Sequence, residues 1–212
     1  MTASANDFLA SLQTRFPNVT ARPSVDVPAC NIPAAEAIAL LTYLRDECGF
    51  DMLADLTAID WAPGASPRFT VVYHLLSTAR AEYVRLASDC LGGEEPTMPT
   101  AVGVWPGADW HERECYDLMG VKFTGHPDLR RILMWEGYPY HPLRKDFPLA
   151  GLPTELPDEE IADYSGVKVM AAPMAGGPFV AQPDGSVTTS SGRGPRALDQ
   201  AWNEKTEKPA AG

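Results

Sequence analysis

Residues 109–147 constrain the fold of this chain more than any other stretch, because they combine many charges with repeated breakers of regular structure. The first part belongs to a predicted helix at residues 108–119, which ends at Gly120. Beyond it, glycine or proline recurs every few residues, and pairs of cations alternate with large apolar residues. Such a segment cannot bury itself as one regular helix or sheet. We therefore expect it to lie extended across its own domain or across a partner.

The residues before this stretch predict a small domain built from helices and a sheet. Apolar residues recur at helical spacing in residues 7–16 and 34–48, and a proline-spaced, irregular strand is expected between them. Three alternating strands are then expected at residues 53–61, 68–76 and 81–87. This order predicts an α+β fold, an antiparallel or mixed sheet with helices packed on one face, followed by a long extended C-terminal segment.

We divide the chain into three parts. Residues 1–120 are predicted to form the α+β domain, and residues 121–150, called the motif segment below, are predicted to pack on that domain and on a partner. Residues 151–212 are rich in proline and glycine, and from about residue 171 they contain few large apolar side chains. Because such a tail cannot form a core of its own, we expect it to be disordered or ordered by a partner.

The charge and hydropathy of the chain exclude several classes of function. A net charge of -11 argues against nucleic-acid binding and against docking on anionic lipid. No run approaches the roughly 20 apolar residues of a membrane span. The N-terminus has neither the basic start and apolar block of a signal peptide nor the arginines of an organelle presequence. We expect a soluble protein that faces the cytosol.

The four cysteines, Cys30, Cys48, Cys90 and Cys115, are far apart in the sequence. No pair has the C-x-x-C spacing, so neither an iron–sulfur cluster nor a zinc site is indicated. We expect each cysteine to pack as a small apolar residue in a reducing compartment.

Charged residues of the predicted helix raise the question of an active site. Glu112, Glu114 and Asp117 suggest paired carboxylates, but with Arg113 beside them an ion-paired helix surface is favoured. A metal site formed by His111, Glu114 and His126 remains open, although H-x-x-E alone is a weak pattern. The lone His74 is expected to be packed and hydrogen-bonded rather than a ligand.

The sequence contains none of the common motifs for cofactor binding or nucleophilic catalysis. We find no G-x-G-x-x-G, no phosphate-binding loop and no nucleophile elbow. We therefore predict no catalytic, cofactor-binding or metal-binding residue in this chain, and the residues by themselves favour a role in binding or assembly.

Several short motifs nevertheless resemble one family closely. They are Glu112-Arg113-Glu114, residues 117–120, 125–127 and 131–133, and the closing run at residues 141–149. Their order resembles the signature of the 30 kDa subunit, or C-subunit, of proton-pumping NADH–quinone oxidoreductase, also called respiratory complex I. Residues 55–61 and 72–77 resemble strand segments of the same family. The resemblance covers residues 34–151, and residues 135–140 match the family pattern W-E-G-H-P only loosely.

This resemblance implies a structural subunit without a redox centre. It would belong to the peripheral arm of a complex that passes electrons from NADH through FMN and iron–sulfur clusters, held by partner subunits, to quinone. The chief partner in this hetero-oligomer would be the hydrogenase-like D-subunit. The chain would lie on the cytoplasmic face of the bacterial inner membrane, and in isolation it would be inactive.

Two alternatives stay open at this point. The first is the equivalent subunit of a related membrane-bound hydrogenase or of a ferredoxin-linked quinone reductase complex, and the second is a free-standing metal-dependent enzyme. In the favoured interpretation twelve motif residues, most of them charged, serve the subunit interface. They are Glu112, Arg113, Glu114, Asp117, Gly120, His126, Arg130, Arg131, His141, Arg144, Lys145 and Asp146.

Overall fold

A computed structural model of the chain describes residues 3–148 and 151–152, with the backbone alone for residues 3–7. The helices and strands named below lie in one compact unit, Met1–Asp146. The predictions for the tail beyond residue 152 lie outside the described residues.

Three α-helices lie close to the positions that the sequence predicts. The first, α1, spans Ala3–Arg15 and begins earlier than expected. A 3₁₀ turn at Ala34–Glu36 leads into α2, Ala37–Asp46, so the predicted helix at residues 34–48 is only partly α-helical. The third, α3, spans Ala108–Met119, as predicted.

Five strands form the main sheet in the spatial order β1-β2-β5-β4-β3. Strands β3, β4 and β5 are three neighbours joined in antiparallel pairs, whereas β2 pairs with β5 in parallel. The sheet is therefore mixed, and the predicted α+β class is confirmed. The strand bounds are Thr20–Ala21 for β1, Ala29–Asn31 for β2, Met52–Asp60 for β3, Phe69–Ser77 for β4 and Glu82–Asp89 for β5.

The hydrophobic core lies between one face of this sheet and the helices. Leu56, Tyr73 and Leu86 occupy one cross-strand row of that face, and all three are fully buried. Leu40 and Leu44 of α2 belong to the same buried cluster, as do residues of α1 and α3. Because strand side chains alternate between faces, this row fixes which residues point away from the helices.

Two short strands that the sequence analysis does not predict flank α3. They are β6, Thr97–Pro99, and β7, Lys122–Thr124, and they pair in parallel. A three-residue strand is too short to show a period of two, so hydropathy patterns cannot reveal it.

Candidate functional site

Asp117 of α3 is the centre of the polar contacts between this helix and the motif segment. Its Oδ2 atom accepts hydrogen bonds from the backbone N–H groups of Ile132, Leu133 and Met134, at 3.0, 2.7 and 2.8 Å. Its Oδ1 atom lies 2.6 Å from Nη1 of Arg131. Burial alone would raise the pKa of Asp117, but these four donors outweigh it and hold the pKa below its ordinary value. The buried carboxylate therefore fixes the backbone of residues 131–134.

Two arginines bind main-chain carbonyls of the same region. Arg131 donates to the carbonyl oxygens of Asp117 and Tyr140, at 3.0 and 3.1 Å, and its guanidinium lies over the Tyr138 ring. Arg113 of α3 donates to the carbonyls of Arg130 and Arg131, at 3.3 and 3.2 Å. A guanidinium has five N–H donors in a rigid plane, which suits it to join carbonyls from two segments.

The C-terminal carbonyls of α3 receive their hydrogen bonds from the motif segment. His141 Nδ1 donates to the Asp117 carbonyl at 2.9 Å, and the Leu143 N–H donates to the Leu118 carbonyl at 3.0 Å. The Arg144 Nε–H donates to the next carbonyl, that of Met119, at 2.7 Å. The last four carbonyls of a helix have no partner within the helix, so these bonds supply what the helix end lacks.

Gly120 makes this close approach possible. Its φ of 78° lies in the left-handed region that glycine adopts without strain. A Cβ at this position would also meet the Arg144 guanidinium and would lie 2.8 Å from the His141 ring. Gly120 therefore ends α3 and leaves room for the two side chains that satisfy its carbonyls.

The end of the motif segment is joined to the main sheet by a buried ion pair that the sequence analysis does not identify. Arg68, which precedes β4, donates to both carboxylate oxygens of Asp60 at the end of β3, at 3.1 and 3.2 Å. It also pairs with Glu94 and, at 3.0 Å, with Asp146. The Lys145 N–H donates to Asp60 at 2.8 Å. The sequence does contain a signal for this pair, because Asp60 and Arg68 are opposite charges at the two ends of a loop between apolar strands.

Burial of Asp60 would by itself raise its pKa. Its contacts with Arg68 and with the N–H groups of Lys145 and Ala62 outweigh this effect and lower the pKa. The Asp60 carboxylate is therefore ionised at neutral pH and holds three segments of the chain together.

Glu112 joins α3 to the turn after β6. It is completely buried and accepts hydrogen bonds from the Thr100 hydroxyl and the Ala101 N–H, both at 2.6 Å. Burial raises its pKa to about 7, although these two donors lower it in part. The buried ring of His126 lies 3.1 Å from the Asp109 carboxylate and 4.0 Å from that of Glu112.

The expected ion-paired helix surface is therefore wrong for two of its three carboxylates. Glu112 and Asp117 are both 0% exposed, whereas Glu114 lies on the surface. The helical spacing of Glu114 and Asp117 could not reveal this difference, because the motif segment covers only one of the two positions.

His74 and His111 both lie near the Asp55 carboxylate, at 3.8 and 3.5 Å. Arg85 Nε donates to His74 Nε2 at 2.7 Å, so His74 is hydrogen-bonded as predicted. Within residues 3–148 and 151–152, no three histidine, cysteine or acidic side chains are grouped so as to hold a metal ion.

Three large apolar side chains in this region are exposed. Trp110, Leu133 and Leu143 expose 61%, 59% and 54% of their area. Arg130 is also exposed and pairs with Asp128 at 2.8 Å. Of the helices described, none is long and apolar enough to cross a bilayer.

Comparison with known proteins identifies the family of this chain. Residues 30–153 match the family model described as respiratory-chain NADH dehydrogenase, 30 kDa subunit. The chain belongs to this family. All twelve motif residues that the sequence analysis selects lie inside the matched region.

Curated relatives agree with this assignment. The chain is 46% identical over 144 residues to the NADH-quinone oxidoreductase C-subunit of Moorella thermoacetica, an alignment that covers 68% of this chain and 95% of the relative. It is 52% identical over 120 residues to the C-subunit of Rhizobium rhizogenes, an alignment that covers 56% of this chain and 58% of that relative. The second alignment thus spans little more than half the length of the Rhizobium protein.

A solved structure shares the fold. It is a chain of the membrane-bound sulfane sulfur reductase, an archaeal respiratory membrane complex, with a TM-score of 0.60. The match covers 77% of this chain and 92% of that chain at 18% identity, so it supports the fold alone.

Proposed function

We propose that this chain is a non-catalytic structural subunit of the peripheral, quinone-reducing arm of a proton-translocating NADH–quinone oxidoreductase. The relatives named above are C-subunits of NADH-quinone oxidoreductases, at 46% and 52% identity. Their identity favours this function over the equivalent subunit of a hydrogenase or of a ferredoxin-linked complex.

One observation supports a structural role over a catalytic one. Three buried carboxyl groups in the motif and beside it make their contacts within the chain itself: Asp117 with the backbone of residues 132–134, Glu112 with Thr100 and Ala101, and Asp60 with Arg68. A general acid or base must be within hydrogen-bonding reach of a substrate. Carboxylates enclosed by their own main chain are poorly placed for that role.

The remaining parts of the proposal follow from the family. FMN and iron–sulfur clusters reside in partner subunits, and the chief partner is the hydrogenase-like D-subunit. The complex holds this chain at the cytoplasmic face of the bacterial membrane as a peripheral subunit. The isolated chain neither oxidises NADH nor reduces quinone, and a purified, cofactor-free preparation that did either would refute this part of the proposal.

The exposed motif residues are proposed to contact the partner, and the buried ones to shape that surface. Glu114, Arg130, Leu133 and Leu143 lie on the outside of α3 and of the motif segment. Arg131 acts indirectly, because its guanidinium is bound to Asp117 and to two carbonyls of its own chain.

This division of roles can be tested with two substitutions in the native complex. Arg131→Ala should lower both the thermal stability of the isolated chain and the yield of assembled complex. Glu114→Ala should lower only the yield, because Glu114 is exposed. Complex that does assemble should keep near-normal NADH–quinone turnover per flavin. Full assembly with abolished quinone reduction, for either variant, would show that these residues take part in the chemistry, and the structural proposal would be wrong.

A further inference from the structure

The second face of the main sheet points away from the helices. Val72 and Ala87 on this face are 5% and 2% exposed but lie outside the buried cluster to which the helices contribute. At its two ends Trp61 and Tyr83 each expose 47% of their area. A sheet face in contact with water is normally polar, so exposed aromatic rings on it indicate a contact with another molecule.

A chain of hydrogen bonds crosses three strands at one end of this face. The Trp61 Nε1–H donates to the Thr70 hydroxyl oxygen at 2.9 Å, and the Thr70 hydroxyl donates to Asp89 Oδ1 at 2.8 Å. Thr70 is 1% exposed. Because an indole can only donate and a carboxylate only accept, the direction of these bonds is fixed. The Trp61 ring and the Asp89 carboxylate therefore lie on either side of the Thr70 hydroxyl, and both are exposed.

Asp89 lacks a cation in the part of the chain that the structure describes. There, no lysine, arginine or histidine nitrogen lies within 4.0 Å of its carboxylate. By contrast, Glu82 on the same strand pairs with Arg80 at 2.6 Å. The chain as a whole has a net charge of -11, so a binding partner with basic side chains is electrostatically favoured.

We propose that Trp61 and Asp89 form a docking site for an arginine side chain of another subunit of the same complex. A guanidinium can stack on the exposed indole and form a charge-assisted hydrogen bond with Asp89 in one position, whereas an ammonium group has no planar surface for stacking. Thr70 is a positioning residue, because it orients both groups from its buried site. This inference rests on the proposed function only in that the partner is a subunit of the complex.

The first experiment measures how firmly the full chain is retained in the complex. Affinity-tagged wild-type and variant chains are expressed in cells that contain the other subunits, and the purified complexes are washed at increasing salt. Asp89→Asn keeps an acceptor for the Thr70 hydroxyl but removes the charge, and Trp61→Ala removes the ring. We expect each to lower the retained partner subunits about tenfold, as for the loss of a charged interfacial contact. Glu82→Gln is the matched control and should retain them fully.

Thermal unfolding of the same chains separates loss of binding from loss of folding. The midpoint of Asp89→Asn should stay within about 2 °C of wild type, since exposed carboxylates contribute little stability. The proposed site would be wrong if both variants retained the partner subunits fully, or if the Glu82→Gln control lost them to the same extent. A wild-type chain that recovers no partner subunit would instead refute the proposed function.

The second experiment identifies the occupant. The photoreactive residue p-benzoylphenylalanine is introduced in place of Trp61, and the intact complex is irradiated and mapped by mass spectrometry. We expect a cross-link to a peptide of another subunit that contains an arginine close to the reacted residue. A cross-link to residues 153–212 of this chain, to a peptide without arginine, or to no protein at all would overturn the proposal.

Discussion

Glu112 shows how a single buried carboxyl group can make stability depend on pH. Its pKa is about 7 in the folded chain, above the ordinary value near 4.3, because burial disfavours its charged form. The folded state therefore binds the proton more tightly than the unfolded state. This contribution to stability is complete below about pH 4.3 and is lost as the pH rises through about 7.

We therefore predict that the effect of Glu112→Gln on the stability of the isolated chain is more favourable at pH 8 than at pH 5. Glutamine stays neutral and can keep the hydrogen bonds with Ala101 and Thr100. The difference in the free energy of unfolding between variant and wild type should shift by roughly 2 kcal/mol between the two pH values, measured by urea denaturation. Glu114→Gln, on the exposed side of α3, should show no such shift. An equal loss of stability at both pH values would mean that the fold requires the charge of Glu112.

The pKa of Asp117 is shifted in the opposite direction to that of Glu112, so its contribution to stability depends on pH in the opposite way. Its folded pKa lies below the ordinary value, so its contribution is present above about pH 3.9 and is lost as the pH falls through the folded pKa. Asp117→Ala removes the carboxylate that pairs with Arg131 and leaves three N–H groups without their acceptor, and we expect a loss of about 3–5 kcal/mol at pH 7. The exposed Asp128→Ala should cause no measurable change in denaturant unfolding. A loss for Asp117→Ala as small as that of the control would show that other groups fix residues 131–134.

At the scale of helices and strands, Gly120 lies where the end of α3 contacts His141 and Arg144 of the motif segment. Gly120→Ala places a side chain both in a left-handed backbone conformation and against His141 and Arg144. Gly64 is the matched control, because its φ is 84° but nothing lies within 4 Å of its added Cβ. Gly64→Ala should cost about 1–2 kcal/mol, the strain of the left-handed conformation alone. Gly120→Ala should cost clearly more in the same unfolding measurement, and equal costs would mean that His141 and Arg144 move aside freely.

The sequence predicts helices and strands well where apolar residues recur at a regular spacing or where a residue such as glycine marks the end of a helix. The glycine after α3 marks the end of that helix correctly, and the alternation of Phe69, Val71 and Tyr73 defines β4. The parallel pairing of β2 with β5 was not predicted, because a three-residue strand does not indicate its partner.

The path of the motif segment was predicted only as extended. Its contacts join the side chains of His141 and Arg144 to main-chain carbonyls of α3, and every residue has a carbonyl. No pattern of side chains can therefore identify the partners. The burial of Glu112 and Asp117 was missed for the same reason, since it depends on where distant residues return.

At the scale of the whole molecule, charged residues of the motif divide into two groups. Those bound to the main chain, such as Asp117 and Arg131, determine the shape of the compact unit. Those at the surface, such as Arg130 and Glu114, are exposed. This division is what the proposed structural role requires, because the buried charges are used within the chain and the exposed ones are left at its surface.

The Asp60–Arg68 pair gives the last prediction, because it joins the sheet to the end of the motif segment. Arg68→Ala leaves the buried Asp60 carboxylate without its cation, so we expect a loss of about 3–5 kcal/mol in the free energy of unfolding. Hydrogen exchange at the Lys145 amide, which donates to Asp60, should accelerate more than at amides in the centre of β4. Asp146→Asn removes one exposed partner of Arg68, leaves Asp60 in place, and should leave the Asp60–Lys145 bond protected. If Lys145 exchanged equally fast in both variants, its order would depend on Asp146, and the buried pair would stabilise the sheet without holding the motif segment.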